Sequence, residues 1–338
     1  MNQISSSMSL FSSADITSKK NGAPKKIIIL DTSISSVNLG DQVIAEASNK
    51  VLHKIFPHAF YVSMPTHEFM LWESYRVLRD CDHVFVAGSN LLKSKMLWRN
   101  QWKISPLDLI FRRNSTLLGC GWWNYQVTPD FYSRFALNKI LSKKGLHSVR
   151  DDYSRRQLEA AGINNVRNTS CVTMWDLTPE HCIDIPKEKA PSVVTALTGY
   201  HPDEAADRAL LTLLKKHYKE VIFWVQQPED MAYGLSLSDG SMKFMSPNLA
   251  TYSDFLKNNH VDYIGSRLHG GIRALQLGKR SLILAVDNRA LEINKDTNLP
   301  VYKRENLAAI ESWITGAAET KIVLPQKNID EWKSQYIV

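Results

Sequence analysis

The chain has 338 residues, 44% of them hydrophobic and 22% charged, the balance of a soluble globular protein, and its length suits two domains better than one. That composition excludes collagen-like, disulfide-scaffold and disordered chains, and no apolar stretch approaches the roughly 18 residues that a membrane-spanning helix needs. Lysine and arginine number 41 against 34 acids, a net charge of +7. This excess fits an anionic small substrate, an acidic glycan, a membrane surface or nucleic acid, and does not choose among them.

Residues 1–24 are Ser-rich, lack the apolar core of a signal peptide and are expected to form a disordered lead-in. A run Ile27–Asp31 then reads as a strand buried on both faces. A polar turn through Asn38, Gly40 and Asp41 leads into a helix over about 41–56. Strands are expected at 59–64, 83–88, 116–121 and near 148–149, with helices over 67–80, 129–143 and 151–161. Residues 168–191, with three prolines and mixed charge, read as the passage between an N-terminal domain (25–167) and a C-terminal domain (192–338). In the second half strands are expected at 192–197, 220–226, 261–265 and 281–286. Helices are expected at 203–217, after Pro228, and at 251–258, 267–277, 305–316 and 328–336. Strand–helix alternation in both halves predicts an α/β chain of two Rossmann-like, doubly wound domains, without a sequence repeat between them.

Four widely spaced cysteines, with no paired spacing and no Cys/His cluster, read as free thiols of a reducing compartment, so a cytoplasmic location and no metal site are expected. The absence of a basic run, zinc-finger spacing or RNA-binding signature argues against nucleic acid as a partner.

In doubly wound sheets ligands sit beyond the carboxyl ends of strands, so the chemistry should follow the strands. The sharpest segment is 262–289. There Ser266 is the expected N-cap of a helix whose first turn carries Arg267, Leu268 and His269. Free amides and the helix dipole at that turn favour an anion and disfavour imidazolium, keeping His269 available as a base. Gly270 and Gly271 weaken a helix and suit a place where backbone or ligand approaches closely. The next strand ends at Asp287-Asn288-Arg289, and Arg150 ends an earlier one. Three arginines at strand ends suit bidentate grip on carboxylate and phosphate.

The order NLGD (38–41), SVRDDYS (148–154), SRLHGG (266–271) and LAVDNR (284–289) resembles the polysaccharide pyruvyl transferase family over roughly 25–295. The resemblance implies a GT-B-like architecture, with two Rossmann-like domains facing across a cleft. It also implies transfer of a pyruvyl group from phosphoenolpyruvate to two sugar hydroxyls, forming a ketal with release of phosphate. Phosphoenolpyruvate would be the donor substrate, with no cofactor, and a sugar or polysaccharide precursor the acceptor. It makes Arg150, Arg267 and His269 functional, with Arg289 where relatives commonly carry Lys. On this reading His269 and Arg267 are catalytic. Arg150, Arg289, Ser266, the amides from Leu268 to Gly270, and the turn Asn38, Gly40, Asp41 bind substrate.

Trp122 and Trp123, which follow a strand end, are the aromatic faces expected to stack on the acceptor sugar. Trp72, Trp98 and Trp102 line the cleft, a peripheral membrane contact or an oligomer surface, and the sequence leaves these open. Two alternatives use the same frame. One is a glycosyltransferase with a nucleotide-sugar donor, whose ribose-binding carboxylate would come from Glu204, Glu229 or Asp230. The other is a glycan-binding protein without turnover.

Overall fold

The computed structural model describes residues 24–97, 101–111 and 114–337, so the expected lead-in, except Pro24, lies outside the described residues, as does Trp98. The N-terminal half opens with β1 (Lys26–Asp31), α1 (Leu39–Ile55), β2 (Phe60–Pro65), α2 (Trp72–Arg79), β3 (His83–Ala87), α3 (Pro106–Phe111) and β4 (Ser115–Leu118). It continues with α4 (Phe131–Ile140), β5 (His147–Val149), α5 (Asp152–Ala160) and β6 (Val166–Asn168). Its main sheet is parallel in the order β2-β1-β3-β4, and single bridges at Cys120–Val149 and Ser115–Leu141 attach the parallel pair β5-β6. The order reverses between β1 and β3, which makes their carboxyl ends the switch point of this sheet.

A 3₁₀ turn (Val172–Met174) and α6 (Pro179–Ile183) connect to β7 (Ser192–Thr195), α7 (Glu204–His217), β8 (Glu220–Trp224), α8 (Pro228–Leu237) and β9 (Lys243–Met245). Then follow α9 (Leu249–Asn258), β10 (Val261–Gly265), α10 (Leu268–Gln276), β11 (Ser281–Ala285), α11 (Asn288–Thr297), β12 (Val301–Lys303), α12 (Leu307–Thr315) and α13 (Gln326–Ser334). The second sheet is also all parallel, β12-β11-β10-β7-β8-β9, with its switch point between β7 and β10. The short strands β6, β9 and β12 and the helices α3 and α6 escape the sequence reading, because runs of three to six residues carry little periodicity; the ten-residue α11 escapes it too.

The two halves are joined more tightly than a linker implies. Cys171, Met174, Leu177 and Cys182 enter the core of the second half, while Val172 and Trp175 enter that of the first. The closing helices, expected to belong wholly to the second half, divide. The apolar stripe of α13, Ile329 and Trp332, is fully buried against Ile29, Phe85 and Leu118 of the first sheet. Trp332→Ala is therefore expected to cost about 3–5 kcal/mol, read from the denaturant midpoint, because it empties an indole-sized space in a core that α13 helps to close. A change below 1 kcal/mol would show that α13 is dispensable to the first domain.

Candidate active site

The two switch points face each other. Asn38 caps α1 by accepting the Gly40 amide (3.0 Å), and it also accepts the Nε2–H of Gln226 from beyond β8 (2.9 Å). The Leu39 amide donates to the Gln226 carbonyl (3.1 Å). A Cβ added to Gly40 would lie 2.9 Å from Gln226 Nε2 and 3.5 Å from His269 Cβ, so a glycine lets the first turns of α1 and α10 meet. Beside it Asp41 accepts from Ser36 Oγ (2.7 Å) and Ser89 Oγ (3.3 Å). Ser89, at φ 63°, follows β3 in the left-handed region. Burial raises the Asp41 carboxyl pKa, and the two serine hydroxyls oppose that.

Across the cleft, α10 begins at Leu268 with Arg267 as its N-cap, and its first intrahelical bond is Gly271 N–H to Arg267 C=O (3.1 Å). The Leu268, His269 and Gly270 amides precede it, as expected of a first turn. Ser266 is not the cap. Its hydroxyl accepts the Thr198 amide (3.0 Å), tying β10 to the turn after β7. Gly270 and Gly271 serve the sheet rather than a ligand. Added Cβ atoms would fall 2.9 Å from the Tyr263 hydroxyl and 2.4 Å from Ile283. The helix therefore rides directly on β10 and β11.

His269 is buried, its Nε2 3.7 Å from Cys171 Sγ, and its pKa is pushed down to about 3. Burial is the largest cause, followed by the charges of Arg289 and Arg150; Asp287 opposes them. The direction is the one the sequence reading expects, and exclusion from water is its largest cause.

Each arginine has its own carboxylate. Arg267 makes a bidentate pair with the fully buried Asp230 (Nε–Oδ2 2.9 Å), and the same aspartate accepts the amides of Gly199 (2.9 Å) and Gln227 (3.1 Å). Both oxygens of Asp230 are thus engaged, Glu204 pairs with Arg208 (2.8 Å), and Glu229 is exposed. Arg267 is also stacked 4.8 Å from the Tyr200 ring, so Asp230 and Tyr200 together fix its plane. Arg150 bonds Asp151 (2.9 Å) and the Trp122 carbonyl (3.2 Å). A Cβ on Gly121 would fall 2.2 Å from its guanidinium carbon, so the side chain lies flat on that glycine. Arg289 takes Asp287 (Nε–Oδ2 2.8 Å) and the Tyr200 hydroxyl. Burial alone would lower its pKa, and the contacts with Asp287 and Tyr200 outweigh that, so it stays charged. Among the described residues, Nη1 of Arg150, of Arg267 and of Arg289 has no hydrogen-bond partner, which leaves each able to donate to an anion.

The tryptophan pair separates. Trp122 is fully buried, its indole N–H shared by Ser94 and Gln126 (3.2 Å each), and cannot stack on a sugar. A side chain whose neighbour points outward at a strand end points inward by the pleat. Trp123 is 36% exposed under the Lys93 ammonium (4.5 Å) and keeps an accessible face. Trp102 and Trp224 are core. Tyr200 and Gln226 are absent from the sequence-derived set, although each follows a strand, β7 and β8, where the strand-end rule should have looked. Among the described residues, no group of three or more His, Cys, Asp or Glu could hold a metal ion.

A UDP-GlcNAc 2-epimerase from Methanocaldococcus jannaschii, solved with UDP-GlcNAc and UDP, is similar in fold: TM-score 0.55 and 11% identity over 92% of this chain and 98% of that one. Another structure of UDP-GlcNAc 2-epimerase from that organism gives TM-score 0.51 and 12% identity at the same coverage. These likenesses establish the GT-B-like frame of two Rossmann-like domains. No curated protein matches by sequence. The model of the polysaccharide pyruvyl transferase family matches residues 38–288, from the cap of α1 to the first residue of α11. With both switch-point turns and the His269 helix inside that span, the chain belongs to the polysaccharide pyruvyl transferase family.

Proposed function

We propose that the protein transfers the pyruvyl group of phosphoenolpyruvate to two hydroxyls of a sugar in a polysaccharide or its precursor, forming a cyclic ketal. The observation that carries this reading is buried His269 in the first turn of α10, on which the charges of two arginines from opposite domains, Arg150 and Arg289, both act. A donor with carboxylate and phosphate on one carbon needs two cationic grips close together, and guanidinium N–H groups meet both anions well. In the reaction the donor methylene carbon takes a proton and becomes methyl. A first hydroxyl oxygen bonds to C2, the C2–O bond to phosphate breaks, and the second hydroxyl oxygen closes the ring. Of the two hydroxyl protons, one balances that taken up by carbon and the other leaves with phosphate. His269 is the acid–base group that handles these protons. Arg150, Arg289 and the first-turn amides of α10 hold the donor and stabilise the leaving phosphate. Gln226, whose Oε1 is buried without a partner, is placed to accept an acceptor hydroxyl.

The test is a panel of sugar acceptors incubated with phosphoenolpyruvate, scored by phosphate release and by the mass gain of a pyruvate ketal. Phosphate release that needs no acceptor, or turnover of a nucleotide sugar instead, overturns the reading. Arg289→Ala is expected to raise the donor KM about 10–100-fold, the worth of a charge-assisted hydrogen bond. An unchanged KM removes Arg289 from the donor site.

A further inference from the structure

We infer that the N-terminal domain docks on an anionic lipid bilayer through the apolar face of α2 and α3, beside the acceptor side of the cleft. On this face Phe69, Leu71 and Trp72 are 60%, 77% and 66% exposed. Leu107, Ile110 and Phe111 of α3 are exposed next to them. The pieces form one surface: the Trp72 and Phe111 rings meet edge to face at 5.8 Å, and Lys103 Nζ lies 6.0 Å over the Phe69 ring. Contiguous exposure of this kind is rare on a protein that meets only water, and marks a contact with another apolar phase. Among the described residues, the large exposed apolar side chains of the second half are scattered singly by comparison.

Charge selects the occupant. Residues 93–113, which contain α3 and the loop before it, carry six basic side chains against one acid, Asp108. Of these Arg99, Arg112 and Arg113 lie outside the described residues; Lys95 is exposed, Lys103 is half-buried, and Asp108 is buried away from the surface. The nearby acids are engaged: Glu73 pairs with Arg76 (3.5 Å) and Glu68 accepts from Ser35. Aromatic rings with Lys103 beside them, on a segment of this net charge, match an anionic interface.

The surface is also continuous with the site. The loop between β2 and α2 that presents Phe69 and Leu71 carries Glu68, which accepts from Ser35, and the next residue, Ser36, donates to Asp41 at the switch point (2.7 Å). A docked molecule therefore opens the N-terminal side of its cleft next to the bilayer, where a sugar carried on a lipid presents its hydroxyls. Docking is independent of which donor the site takes, and its test is separate from any turnover assay.

The full chain is to be sedimented with vesicles of equal parts phosphatidylcholine and phosphatidylglycerol, and with phosphatidylcholine alone. Binding to the anionic vesicles is expected, and the double variant Leu71→Ser/Trp72→Ser is expected to lose about tenfold or more in vesicle affinity. Lys103→Glu is expected to lose about fivefold per unit of charge, an effect erased at high salt. Because all three side chains lie outside the site, turnover of a water-soluble acceptor should be unchanged in these variants. Absence of binding to anionic vesicles, or binding indifferent to the double variant, overturns the proposal. So does a concentration-dependent dimer that the double variant dissolves without any lipid effect, which assigns the face to a second copy of the chain.

Discussion

His269→Asn is expected to fold and to lose about 10²–10⁴-fold in kcat, the range for removing a positioned acid–base group. The free protein holds the imidazole neutral, its pKa about 3, because burial comes first and the Arg289 and Arg150 charges add to it. A donor bearing carboxylate and phosphate between those arginines brings opposite charge to the same place, and so raises the imidazole pKa. Donor binding near neutral pH should therefore be accompanied by proton uptake, seen by calorimetry in buffers of different ionisation enthalpy, and the uptake should vanish in His269→Asn. A variant that melts like the parent yet turns over like it sinks the assignment.

The same ring makes a stability statement. His269 and His147 have native pKa values of about 3 and about 4, against 6.5 in the unfolded chain. His147 is held neutral chiefly by burial; it accepts the Leu117 amide at Nδ1 (3.2 Å) and meets the Ser142 carbonyl at Nε2 (2.9 Å). Below pH 6.5 the unfolded chain binds protons that these native rings refuse. Their contribution therefore erodes as pH falls from 6.5 towards 3, and is fully present above it. The midpoint of unfolding should follow that direction, more shallowly once either histidine is replaced.

Asp230→Ala is expected to cost about 3–5 kcal/mol of stability, because it leaves the Arg267 guanidinium buried and unpaired and strips the Gly199 and Gln227 amides of their acceptor. The double variant Arg267→Met/Asp230→Leu separates packing from function. An apolar pair of similar volume is expected to recover most of the stability. It should not recover activity, since the Arg267 guanidinium stacks on Tyr200, which holds Arg289. Recovery of kcat along with stability would show that Arg267 has no positioning role.

Much of this site was legible in the sequence because it sits where a local rule applies. An apolar run, a glycine and a helical pattern place Arg267 and His269 in a first turn, and the same rule places Asn38, Gly40, Asp41, Arg150 and Arg289 at strand ends. The rule says where a residue stands and is silent on which way it faces or what neutralises it. Trp122 and Trp123 show the first gap, since neighbours on one segment point to opposite sides, one into the core and one outward. The arginines show the second. Sequence counts three cations, whereas each is paired with an aspartate of its own: Arg267 with the fully buried Asp230, Arg150 with Asp151 and Arg289 with Asp287.

The net charge of +7 and the nine tryptophans of the composition now divide by place. By itself the sequence determined the fold class, the two-domain frame, the family and the place of His269 in a first turn, because each follows from periodicity and short motifs. The tertiary structure alone decided that α13 crosses to the first domain, that Gln226 reaches Asn38, that the glycine pair serves β10 and β11, and that aromatic rings from α2 and α3 share one exposed face. Those are contacts between residues far apart in the chain, set by how two sheets and their helices exclude water together, and no local pattern encodes them.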